Sequence, residues 1–120
     1  MVLVDTSVWI QHLRQGSAAL ARHLADGQVV CHPFVVGELA CGHIKNCAEI
    51  LGLLSNLPSA EVARHEEVLQ FIDTYRLMGK GLGYVDTHLL ASAALTGVPI
   101  WTLDKQLRET AVRLDLAHVG

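Results

Sequence analysis

Four acidic residues stand in apolar company: Asp5 follows Val2-Leu3-Val4, Glu38 lies within Phe34-Val35-Val36-Gly37-Glu38-Leu39, Asp86 within Gly83-Tyr84-Val85-Asp86, and Asp104 closes Trp101-Thr102-Leu103-Asp104. An ionised carboxylate taken out of water without a partner is costly, so acids in such settings call for something that compensates them. Hard oxygen donors suit Mg²⁺ or Mn²⁺, which accept carboxylates and waters and bridge to phosphate oxygens. Such an ion lowers the pKa of a bound water and stabilises charge on a phosphorane, which makes phosphodiester hydrolysis the reaction this set serves best. The remaining acids, Asp26, Glu49, Glu61, Glu66, Glu67, Asp73, Glu109 and Asp115, mostly fall among polar neighbours or at expected helix starts.

Taken singly, each of the four has a plainer explanation. Asp5 could cap a helix starting near Ser7, and Asp104 could cap the helix that follows it, because Asp is a preferred N-cap. Glu38 and Asp86 fit that account less well. On a helix the neighbours of Glu38 are Phe34, Val35, Cys41 and Gly42, and those of Asp86 are Leu82, Gly83, Leu89 and Leu90, with no Lys or Arg at a pairing offset. A buried, internally satisfied carboxylate is the alternative at each position; convergence on one metal centre accounts for all four together.

The elements that must bring them together are legible as alternating patterns. Val2-Leu3-Val4, Val29-Val30-Cys31 and Val98-Pro99-Ile100-Trp101 are short continuous apolar runs, as expected for parallel strands buried on both faces. Helical periodicity is expected over 17–25, 32–41, 46–54, 66–78, 84–95 and 105–114, with glycines and Pro58 punctuating the segments. Strands alternating with helices predict an α/β three-layer sandwich whose central, mostly parallel sheet is flanked by helices. In such folds ligands bind at the carboxyl ends of the strands, where Asp5 and Asp104 fall.

At 120 residues the chain is expected to form a single domain, 1–120. It has neither an apolar run near the ~20 residues that span a bilayer nor a basic segment leading into a long apolar one, so a soluble, cytoplasmic protein with no membrane partner is expected. Cys31, Cys41 and Cys47 make an odd count, for which reduced thiols are the default, and the Cys41, His43, Cys47 spacing is a poor fit for zinc. The net charge of −3 argues against nucleic acid only until the four acids are set aside; eight acids then face nine lysines and arginines, a surplus of one positive charge. A hydrophobic content of 51% points to an apolar core and to surface covered by a partner.

Four stretches carry a family likeness. VLVDTSVWI, VVGELACG, GKGLGYVDTHLLASA and WTLDKQL, in that order, closely resemble PIN-domain ribonucleases, specifically the VapC-type toxins of bacterial toxin–antitoxin pairs. The likeness covers essentially the whole chain. It implies a Mg²⁺- or Mn²⁺-dependent endoribonuclease acting on RNA, inhibited by a cognate VapB-like antitoxin and forming a homodimer. Carried over by position, it implies Asp5, Asp86 and Asp104 as metal ligands and Glu38 as a fourth acid that completes the site or orients the attacking water. Thr6 and Thr102, flanking two of those acids, would be hydroxyls that orient ligands or water. Positions 106 and 107 are Gln and Leu, so the further acid of some PIN relatives is missing and a fully occupied second metal site is in doubt.

Other residues carry weaker signals. Lys80, in a glycine-rich loop that is not a Walker loop, and Arg14 are candidates for phosphate contact, as are Lys105 and Arg108; solvated side chains are the plain alternative. The histidines are expected at surfaces and helix ends, with His32 a turn residue and His88 turned to a different face from Asp86. Trp9 and Trp101 read as core residues. Two other functional classes fit an acidic α/β domain: a receiver-like phosphoacceptor, which would want a second acid where Thr6-Ser7 stands, and a non-catalytic metal-binding regulatory module.

Overall fold

The computed structural model describes residues 1–119. β1 (Val2–Val4) pairs in parallel with β2 (Val29–Val30) on one side and β3 (Ile100–Trp101) on the other, giving the order β2-β1-β3. All three residues of β1 are buried, which explains why its sequence is apolar without alternation. The edge strands are not left bare. Cys31 accepts the Ala60 N–H and donates to the Pro58 carbonyl, and Ile100 exchanges the same two bonds with His118 and Leu116, so a short bridge covers each edge.

Helices α1 (Thr6–Gln15) and α2 (Ala18–Ala25) connect β1 to β2, and α3 (Pro33–Ala40), α4 (Cys47–Leu54), α5 (His65–Tyr75) and α6 (Tyr84–Thr96) connect β2 to β3, after which comes α7 (Lys105–Arg113). The architecture is the α/β sandwich expected from the alternation of patterns. α6 is the central helix of the core. Thr87 to Ala93 are buried without interruption, so the helix shows no amphipathic stripe and its Ala and Ser residues let neighbours approach closely. It ends at Gly97, whose left-handed φ of 77° closes the helix and turns the chain toward β3.

One helix is shorter than its pattern. The apolar period continues through Leu77 and Met78, but Arg76 takes a left-handed conformation (φ 55°) and the Leu77 N–H returns to the Ile72 carbonyl, ending α5 at Tyr75. No helix among the described residues is long and apolar enough to cross a membrane.

Candidate metal centre at the carboxyl edge of the sheet

Asp5 leaves the end of β1 and its backbone N–H reaches the Trp101 carbonyl at 2.9 Å, which fixes it against β3. It stands at the N-cap of α1, yet its side chain does not cap that helix. Its Oδ2 instead accepts the hydroxyls of Ser7 (2.8 Å) and Thr102 (2.7 Å), and the residue is 6% exposed. Those hydroxyls do a second job. Thr102 Oγ1 accepts the Asp104 N–H and Ser7 Oγ accepts the Leu103 N–H, so the chain leaving β3 is clamped onto the start of α1.

Asp104, at the end of that clamped segment, does cap: its Oδ1 accepts the Leu107 N–H at 2.9 Å. Glu38 comes from α3, where the Thr6 hydroxyl donates to its Oε1 at 2.6 Å. Asp86 is the third residue of α6, and its Oδ2 accepts the Gly83 N–H at 3.1 Å, half of a capping box whose other half glycine cannot supply. The positive end of α6 favours a carboxylate there.

The four carboxylates share one neighbourhood. Burial pushes the Asp86 carboxyl above its ordinary pKa, the Gly83 N–H pulls it back in part, and the charges of Asp104, Asp5 and Glu38 each push it up further. Their burial differs from the sequence expectation. Only Asp5 is buried; Asp86 is half-buried, and Glu38 and Asp104 are exposed. Beside Glu38, Leu39 turns into the core while the acid borders a cleft, whereas Leu103, beside Asp104, is itself 52% exposed. At Asp86 desolvation is the first cost and the repulsion of the other three acids adds to it.

The donor set fits a hard divalent cation. Each carboxylate ties one oxygen to the protein and leaves the other without a protein partner. The free oxygen of Asp5 is not among the fully enclosed side-chain polar atoms without a partner, which among the described residues are Trp9 Nε1 and His118 Nε2. No lysine or arginine forms a salt bridge with any of the four; the ion pair among the described residues joins Arg64 to Glu67. As placed, no three His, Cys, Asp or Glu side chains among the described residues close on a single ion position. Glu38 and Asp104 are exposed, and each is held by one hydrogen bond.

Of the remaining candidates, Arg14 lines a cleft of about 500 Å³ that Glu38 also borders, with Ile10, Leu13, Ile44, Lys45 and Ile50 among the other walls. Lys80 is exposed between Gly79 and Gly81, both with left-handed φ values. Trp9 is buried as expected, while Trp101 is half-buried between the rings of His23 and His118. The expectation for histidines fails at two positions: His32 is not a surface turn residue, and both it and His88 are buried. Ser7 is the contact that residue-by-residue reading passed over; its signal was a second hydroxyl directly after Asp5-Thr6.

A three-stranded parallel sheet whose carboxyl edge gathers four acids defines a class of small acidic-edged α/β domain. The PIN-domain family model matches residues 2–113. Ribonuclease VapC32 of Mycobacterium tuberculosis, strain CDC 1551 / Oshkosh, is 48% identical over 118 residues, covering 98% of this chain and 95% of that protein, and the same protein of strain H37Rv matches equally. Among solved structures, FitAcB from Neisseria gonorrhoeae superposes with a TM-score of 0.67 at 19% identity, covering 100% of this chain and 97% of that one. PAE2754 from Pyrobaculum aerophilum gives 0.64 at 18% identity, covering 95% and 88%. The chain belongs to the PIN-domain family, and within it is similar to the VapC ribonucleases across nearly its whole length. This membership displaces the receiver-like reading.

Proposed function

We propose that this chain, acting as one PIN domain, is a Mg²⁺- or Mn²⁺-dependent endoribonuclease that hydrolyses RNA phosphodiester bonds and is held silent by a cognate VapB-like antitoxin. The observation that carries the reading is the gathering of four half-tethered carboxylates at the sheet edge of a chain 48% identical to a protein named a ribonuclease. Asp5, Asp86 and Asp104 would hold the ion, with Glu38 completing the site or orienting the attacking water. The bound ion supplies an acidified water and charge stabilisation on the phosphorane.

The chain's own groups do the positioning. Ser7 and Thr102 keep Asp5 Oδ2 engaged and leave its other oxygen free, and Thr6 does the same for Glu38. Arg14, which lines the same cleft as Glu38, and the exposed Lys80, ahead of α6, would meet backbone phosphates. Gln106 and Leu107 leave the centre without a further acid, which favours one ion over two. The apolar cleft beside Glu38 offers an antitoxin segment a seat adjoining the acids, and a groove of about 330 Å³ with Tyr75 and Leu95 on its walls supports a homodimer.

The test is cleavage of defined RNAs and matched DNAs by antitoxin-free protein with Mg²⁺ or Mn²⁺. RNA should be cut, EDTA should stop it, and Asp86→Asn should fall to background. Cutting by Asp86→Asn at the wild-type rate would remove that residue from the site, and metal-independent cutting would sink the mechanism.

A further inference from the structure

Two buried residues outside the acidic cluster join the helices that carry Glu38 and Asp86. His32 is the N-cap residue of α3 and Ser92 lies within α6; they are 1% and 0% exposed. Each sits six residues along from the acid on its own helix, about 9 Å of helical rise.

The ring of His32 uses both nitrogens. Nδ1 accepts the Phe34 N–H at 3.0 Å, capping α3, and Nε2 lies 3.0 Å from Ser92 Oγ. A ring nitrogen that accepts an N–H carries no proton, so the neutral ring is the Nε2–H tautomer and donates to Ser92. Ser92 Oγ accepts a second donor, the Ala63 N–H at 3.1 Å, which leaves its own proton for His88 Nδ1 at 3.5 Å. One hydroxyl thus ties together α3, α6 and the segment entering α5. Among the described residues no other side-chain hydrogen bond links α3 or its cap to α6.

Capping alone does not account for this histidine. Ser, Thr or Asn would satisfy the first turn of α3 without burying an imidazole. What the ring adds is reach: its second nitrogen spans to α6. We propose that the His32–Ser92 hydrogen bond is a positioning device that sets the separation of Glu38 and Asp86 across the acidic cleft. The inference rests on reading that cleft as a metal-binding nuclease centre.

Amide isosteres separate the two uses of the ring. His32→Asn keeps an acceptor where Nδ1 stands but cannot reach Ser92, His32→Gln places an amide nitrogen where Nε2 stands but loses the cap, and Ser92→Ala removes the acceptor. Mn²⁺ affinity is measured by calorimetry well below each variant's melting temperature, together with the ¹H–¹⁵N amide signals of Glu38 and Asp86 in metal-free protein. Ser92→Ala and His32→Asn should weaken Mn²⁺ binding about tenfold and move both amide signals. His32→Gln should bind near the wild-type level even though it melts lower.

A merely structural role gives the reverse: affinity that holds in His32→Asn, or amide changes confined to the surroundings of residues 32 and 92. Either result overturns the proposal. If the wild-type chain binds no Mn²⁺, the nuclease-centre reading fails separately, and the amide response of Glu38 and Asp86 decides the positioning role by itself.

Discussion

At the scale of single residues, the side chains with shifted pKa values pull stability in opposite directions with pH. Burial, and secondarily the neighbouring His88, lowers His32 from the ordinary 6.5 to about 4. Between those values the folded chain binds fewer protons than the unfolded one, so this contribution is complete above about pH 6.5 and is lost as the pH falls toward about 4. His88 and His118, also lowered chiefly by burial, act in the same direction. Asp86, raised above its ordinary value, acts oppositely: the folded chain holds its proton more tightly, so ionisation costs stability as the pH rises through its titration. The denaturation midpoint should therefore drop on acidification from pH 6.5 to 4, and the drop should be smaller in His32→Asn. An equal drop in that variant would show that His32 is not the group being titrated.

At the scale of elements, Asp104 shows how one side chain can serve a helix and a site together. Its Oδ1 caps α7 while its other oxygen is left for the cleft. Asp104→Asn keeps a competent cap and should melt no lower than the wild type while losing cleavage; Asp104→Ala should also lose cleavage but lie about 1 kcal/mol below Asp104→Asn in stability. Chemical denaturation of the two variants distinguishes them, and equal stabilities would mean that the cap contributes nothing. The sequence made most elements plain because their signals are local. The strands read as unbroken apolar runs, and Asp5 and Asp104 mark their ends. What it hid depended on contacts between distant parts of the chain. Nothing near His32 announces Ser92, sixty residues away, and nothing near Thr6 announces Glu38. Apolar sequence neighbours also overstated the burial of Glu38, because adjacent residues on a helix face different ways, and of Asp104, whose neighbour Leu103 is itself exposed.

For the molecule as a whole, the cluster is a standing electrostatic cost that a bound cation would relieve. Four carboxylates without a paired lysine or arginine repel one another, so folding without metal gathers like charges. Metal that binds the folded chain and not the unfolded one should raise the melting temperature, by about 2.7 kcal/mol of stabilisation at a hundredfold excess over its dissociation constant. Asp86→Asn should melt higher than wild type without metal and gain less from it. A metal-free wild type that melts as high as the variant would show that repulsion at this edge is negligible.

The central strand has a further consequence in the order of synthesis. β1 carries the first acid and is made early, but the edge is completed only by β3 and then Asp104, the latter ninety-nine residues after Asp5. A growing chain that has reached only α6 has three of the acids but lacks β3, and with it the Trp101 carbonyl and Thr102 hydroxyl that hold Asp5 in place. On the proposed function, an unfinished or clipped polypeptide of this kind would lack a complete acidic edge, so only nearly complete copies would need an inhibitor.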